Sequence, residues 1–255
     1  LLLNTDAISW MSHYMVYKKI PKESNTANNN SHKTYITLIN AIEKPELFKH
    51  LIADTYNLFY KILHFEMTHE PEHPENDKDP NRDYLNNIGS WLGHLTIGRN
   101  KPIIMKDLDI KALILEAFEK RKLHVVAPLV CKILSAGAAT GSIFKSNNAW
   151  VKALLSILVE IYEMSDSKMG VRCDIEVLLQ QLGVKKGEIV PSRLIQQRIQ
   201  KRRNMDYQNG KLTQEFLEKG IQWIHREIRK LMKIEAVNGI ELQPLAIQAF
   251  EKAIT

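Results

Sequence analysis

The sequence predicts an all-α fold, a solenoid of about five antiparallel helix pairs. Three observations lead there. Apolar residues recur at helical spacing almost from end to end of the 255 residues. Glycine and proline number only 11 and 9, whereas an all-β chain needs a turn signal every ~8–12 residues. No segment alternates apolar and polar residues long enough to make a convincing strand. With 44% hydrophobic and 25% charged residues, the chain is globular rather than disordered and can bury a real core.

The elements follow in order. Residues 5–19 place Ile8, Met11 and Met15 on one helix face. Lys22 to Asn30 carries four Asn and reads as a loop. Ser31 suits the N-cap of a helix over 32–42, with Tyr35, Leu38, Ile39 and Ile42 inward. Pro45 fits the first turn of a longer helix, 45–66, whose inward face is Leu47, Leu51, Leu58, Ile62 and Phe65. Residues 68–81 hold three prolines, many charges and no aliphatic residue, which marks an acidic loop insertion. Leu85, Ile88, Leu92 and Leu95 put the next helix over 83–98, and Asn100-Lys101-Pro102 ends it.

Asp107 is positioned to start and cap a helix over 107–121. A helix over 123–136 carries Val126, Val130 and Ile133. Pro128 should kink or restart it, and the small-residue run Gly137–Gly141 should end it. Asn147 or Asn148 caps the next, with Trp150, Leu154, Ile157, Leu158 and Ile161 inward. Asp174 should open another, with Ile175, Leu178, Leu179 and Leu182 inward and Gly183 as its stop. A helix from about Pro191 follows. Thr213 should cap one more, with Leu217, Ile221, Ile224, Ile228 and Leu231 near a seven-residue rhythm, and a short helix follows Pro244. Short antiparallel helices in sequential pairs describe a HEAT-like solenoid. The expected organisation is one such domain over 1–203, with 204–255 as additional helices on the same solenoid.

Catalytic signatures are missing, and an enzyme is not expected. There is no phosphate loop, no dinucleotide-binding glycine motif and no nucleophile elbow. His69-Glu70-Pro71-Glu72-His73 matches the zinc-protease pattern, but Pro71 lies inside the turn that would bring both imidazoles to one helix face. A solvated acidic linker explains it better, and neither metal nor cofactor is expected. The acidic pairs Asp107/Asp109 and Asp174/Glu176 read as helix starts favoured by the macrodipole. Cys131 and Cys173 read as buried free thiols of a reducing compartment, cytosol or nucleus. Trp91, Trp150 and Trp223 read as helix packing. No apolar run reaches the roughly 18 residues of a bilayer span, and the start lacks signal-peptide features, so no membrane role is expected.

The charge of +6 invites a nucleic-acid reading. Residues 185–203 hold seven Lys/Arg against one acid, Glu188. Arg198, Lys201, Arg202 and Arg203 are the candidate RNA contacts there, although that stretch lacks interleaved aromatics. A solvated helix face accounts for them better than an RNA groove does.

Gly89-Ser-Trp-Leu-Gly, Asn100-Lys101-Pro102-Ile103, Asp107-Leu108-Asp109-Ile110-Lys111, the run Val125–Leu134, Phe144 to Trp150 and Glu176-Val177-Leu178 occur in this order. Together they resemble the middle domain, of initiation factor four-G type, in the Not-one scaffold subunits of the Ccr–Not deadenylase complex. The resemblance covers roughly residues 1–190, and 204–255 match poorly. It implies a non-catalytic platform in the cytoplasm, and also in the nucleus. The platform would dock a Caf-type deadenylase subunit and a DEAD-box RNA helicase of the translational-repression class. Other Ccr–Not subunits would bind elsewhere on the scaffold. The work implied is mRNA poly(A) shortening and translational repression. The alternative is an RNA-binding helical adaptor that uses 185–203.

Partner contacts are expected where loops and helix starts are poorly explained by core packing. These are Arg99, Asn100, Lys101 and Pro102, then Asp107, Asp109 and Lys111, then Phe144, Asn147 and Asn148.

Overall fold

The computed structural model describes residues 4–23, 31–69, 80–140, 142–164 and 167–238. Among these the chain is helical throughout its regular structure. The α-helices are α1 (Thr5–Tyr14), α2 (Ser31–Ile42), α3 (Pro45–Thr68), α4 (Pro80–Leu95), α5 (Ile110–Glu119), α6 (Leu123–Thr140), α7 (Ala149–Glu163), α8 (Met169–Gln181) and α9 (Leu194–Asn238). The architecture is the all-α solenoid that the periodicity predicts. It divides into two compact units, 1–195 and 196–255.

The first unit is built around α4 and α6. Leu85, Ile88, Leu92 and Leu95 are all fully buried, as their spacing requires. Two glycines let α6 approach closely. A Cβ at Gly89 would lie 2.3 Å from Leu129 Cδ1, and one at Gly93 would lie 2.4 Å from the Ile133 carbonyl oxygen. Trp91 is fully buried between them in sequence, and its indole N–H donates to Thr55 Oγ1 at 3.1 Å. The Trp-Leu-Gly motif is thus a packing device. α3 and α1 stack on one side of this pair, and α8 and α7 on the other.

Caps set several boundaries. Asn4 accepts the Ala7 N–H at 2.8 Å to open α1, which passes into a π-helical turn, Met15–Lys19, and a 3₁₀ turn, Ile20–Lys22. Pro45 is the first residue of α3. Asn148 accepts from the N–H groups of Trp150 and Val151 to open α7. Gly183, at φ +67°, follows the end of α8 in the left-handed conformation that glycine tolerates best. Ser192 ties the approach to α9 onto α7: its N–H donates to the Ser156 carbonyl, and its hydroxyl to the Glu160 carboxylate.

Several expectations need correction. α5 is capped by Asp109, which accepts the Ala112 N–H at 2.9 Å, while Asp107 sits in the preceding turn. α6 continues through Pro128 and past residue 136, and it ends at Thr140 within the small-residue run, whose Gly137 also serves close packing. A Cβ at Gly137 would lie 2.9 Å from the Phe144 carbonyl oxygen. Asp174 lies inside α8, where burial pushes its carboxyl above the usual range. Thr213 lies inside α9 and donates back to the Asn209 carbonyl at 2.9 Å instead of capping.

Burial differs too. On α3, Phe65 is 43% exposed, and Phe59, Leu63 and Met67 fill the core. Leu38 is exposed, and α2 buries His32 together with Ile39. Cys131 is buried, which pushes its thiol pKa up, but Cys173 is exposed. Trp223 is exposed as well. The loop 22–30 and the insertion 68–81 lie mostly outside the described residues, as does the helix after Pro244.

Candidate partner-docking surface

The turn after α4 organises one surface of the first unit. Asn100 takes a left-handed conformation at φ +60°, and its N–H closes the turn onto the Ile97 carbonyl at 3.1 Å. Its side-chain oxygen accepts the Ile143 N–H at 2.8 Å and ties this turn to the segment before α7. Arg99 donates to Asn40 and lays its guanidinium 4.1 Å from the centre of the Phe48 ring. Burial lowers the Arg99 pKa from its ordinary value. Lys101 is exposed, with Nζ 5.5 Å from the same ring.

From here the chain runs along α3. Ile103 is buried, whereas Ile104 and Met105 are 56% and 73% exposed. At the far end the Tyr60 hydroxyl donates to the Asp107 carbonyl oxygen. Burial first, and the Asp107 charge second, raise the phenol pKa values of Tyr56, to about 12, and of Tyr60.

The C-terminal half of α3 forms a ridge with a groove on each side. Tyr60, His64 and Phe65 are exposed along it, and the His69 ring stacks on Phe65 at 4.1 Å. The groove toward α5 has a volume of 280 Å³ and includes Tyr60, Leu108, Asp109, Ala112 and Glu116. The other has a volume of 470 Å³ and includes Tyr17, Pro21, Lys22, Lys61, Phe65 and Tyr84. The first carries the acids Asp109 and Glu116, and Lys120 pairs with Glu116 at 2.7 Å. The second carries two lysines and no carboxylate among its described lining residues. Apolar grooves edged by charge suit the anchoring side chains of a protein partner.

The sequence-derived candidates divide by the work they do in the fold. Arg99 and Asn100 hold the turn, Asp109 and Asn148 cap helices, and Phe144 is buried edge-to-face against Trp150 at 5.9 Å. Phe144 therefore presents no surface. Lys101, Pro102, Asp107, Lys111 and Asn147 are exposed. The turn at 99–102 and Asp107 lie along α3, while Phe144 and Asn148 belong to the approach to α7. Arg198, Lys201, Arg202 and Arg203 are exposed on α9 in the second unit.

Sequence reasoning missed Tyr60, Phe65, Ile104 and Met105. The signal for two of them was present: Ile104-Met105 are apolar residues in a loop between Lys101 and Lys106. His69 closes α3, with Nδ1 3.1 Å from both Phe65 O and Thr68 Oγ1, and His73 lies outside the described residues. No group of three metal-ligating side chains occurs among the described residues.

The fold defines an all-α helical domain, with exposed apolar side chains along α3 and the 104–105 loop. A family model described as the CCR4-NOT transcription complex subunit 1 CAF1-binding domain matches residues 1–205, and the chain belongs to that family. It is 32% identical over 73% of its length to the general negative regulator of transcription subunit 1 of Schizosaccharomyces pombe. It is 36% identical over 69% to CCR4-NOT transcription complex subunit let-711 of Caenorhabditis elegans. It is 28% identical over 76% to the Saccharomyces cerevisiae general negative regulator of transcription subunit 1. The chain spans 8%, 6% and 8% of those proteins.

Proposed function

We propose that this chain is a scaffold module that docks a CAF1-type deadenylase in a CCR4-NOT complex. The observation that carries the proposal is the match of a CAF1-binding family model to residues 1–205. The α3 ridge and the Ile104–Met105 loop supply the surface, since both expose apolar side chains on an ordered frame. The role is non-catalytic. His32, His94 and Cys131 are packed in the core, where burial holds each in its neutral form.

The finer reading rests on the sequence motifs. The fold is of the initiation factor four-G middle-domain type, and a second face takes a DEAD-box RNA helicase of the translational-repression class. The rest of the scaffold carries other Ccr–Not subunits. The assembly shortens poly(A) tails and represses translation in the cytoplasm, and acts in the nucleus as well.

Pull-down of a purified CAF1-type deadenylase on the immobilised chain tests the core of this. Capture is expected, with loss on Phe65→Asp or Met105→Asp and retention on Lys152→Ala, an exposed residue of α7. If the folded wild-type chain captures nothing, the docking function is wrong. If both aspartate variants bind as well as wild type, the assigned surface is wrong.

A further inference from the structure

The second unit contributes α9, and one face of this helix combines cations with aromatic rings. Arg198, Lys201, Met205, Phe216, Lys219, Trp223, Arg226 and Lys230 recur in steps of three and four residues. The single step of eleven, from Met205 to Phe216, is about three full turns, so all eight share a face. All are exposed, Phe216 by 82% and Trp223 by 61%, so the rings do not serve a core of this unit. The apolar residues Leu217, Ile221, Ile224 and Ile228 lie nearly opposite this face by helical register. Arg203 falls on the far side, and Arg202 falls beside Arg198. Two acids flank the face. Glu227 pairs with Lys230 at 2.8 Å, and Glu215 lies one turn before Lys219.

We propose that this face binds single-stranded RNA. Cations one or two turns apart over 219–230 suit phosphates along a strand, and the exposed rings beside them suit stacking of bases. The order Phe216, Lys219, Trp223, Arg226 alternates ring and cation along about 15 Å of helix. A membrane-binding helix keeps its aromatic rings on the apolar face, and here Phe216 and Trp223 lie among the cations, across from Leu217, Ile221, Ile224 and Ile228. Lys201, Lys219 and Arg226 set the electrostatic strength. This activity is separate from deadenylase docking, because it uses residues 198–230 and the docking surface lies within residues 1–195.

The test is fluorescence anisotropy of a 5′-labelled adenosine 20-mer with the full chain. Three phosphate contacts predict a log–log salt slope near −2, a loss of roughly 20-fold between 50 and 200 mM salt. Lys219→Glu with Arg226→Glu should weaken binding at least about tenfold and flatten the slope. Trp223→Ala should cost about tenfold at an unchanged slope. Lys211→Glu with Arg229→Glu makes the same charge change on another face and should cost less than about threefold. Circular dichroism checks that each variant stays helical. Absent RNA binding would overturn the proposal. So would equal losses from the two charge-reversed pairs, or binding to phosphatidylserine vesicles without binding to RNA.

Discussion

The two units use the same kind of sequence to different ends. In residues 1–195 an apolar stripe at helical spacing is matched by another, and Leu85, Ile88, Leu92 and Leu95 disappear from solvent. In α9 an equally regular stripe, Leu217, Ile221 and Ile224, stays exposed at 62%, 40% and 36%. Periodicity specifies a helix in both, but burial requires a complementary neighbour. The same holds for tryptophan: Trp91 is fully buried and hydrogen-bonded, while Trp223 is a surface residue.

The largest test of this contrast is removal of the two indoles. Trp91→Ala should destabilise the chain by about 3–5 kcal/mol, and Trp223→Ala should stay within about 0.5 kcal/mol. Urea unfolding of both variants measures it, and similar losses would erase the distinction between the units.

Glycine gives a test in which the sign changes. Gly93→Ala drives a Cβ into the Ile133 carbonyl, which should cost about 2–3 kcal/mol in spite of the better helix propensity of alanine. Gly220 has nothing within 4 Å of an added Cβ, so Gly220→Ala should stabilise α9 by up to about 1 kcal/mol. Thermal melts followed at the helical band report both.

Acid should act on the first unit. Burial lowers the His32 pKa to about 3, aided by His94, and that of His94 to about 4, aided by Lys33. The ordinary value in the unfolded chain is about 6.5. The unfolded state therefore binds more protons between these limits. The stabilising contribution is present above pH 6.5 and is lost as pH falls toward 4. Each histidine should cost about 2 kcal/mol between pH 7 and 5. His94→Gln should flatten the dependence of unfolding free energy on pH. A dependence unchanged in that variant would place the effect elsewhere.

The smallest effects concern caps. Asp109→Ala should cost about 1 kcal/mol, because it removes the acceptor for the Ala112 N–H. Thr213→Ala should be neutral or slightly stabilising, because Thr213 lies inside a continuous helix. A cost for Thr213→Ala equal to that for Asp109→Ala would mean that α9 breaks there.

Much of the fold was legible because helical spacing is a strong signal in long elements. The errors came where a local signal has two physical outcomes. Asp107 and Asp109 both suit an N-cap, and backbone geometry selects Asp109. Asp174 and Thr213 have capping chemistry but sit inside helices stabilised by other residues. The inward face assigned to α3 drifted from Leu58 to Phe65, whereas the helix continues to bury Leu63 and Met67.

The proposed docking surface was half legible. The residues that give the chain its resemblance, Trp91, Gly93, Asn100, Asp109 and Leu178, are mostly fold determinants. The exposed Tyr60, Phe65 and Met105 follow from how α3 meets its neighbours, which helical spacing along one segment does not encode.

The most direct measurement is gel filtration of the 255-residue chain mixed with a purified CAF1-type deadenylase at moderate salt. The docking function predicts a stable one-to-one complex that Phe65→Asp dissociates. Separate elution of two folded proteins would contradict it.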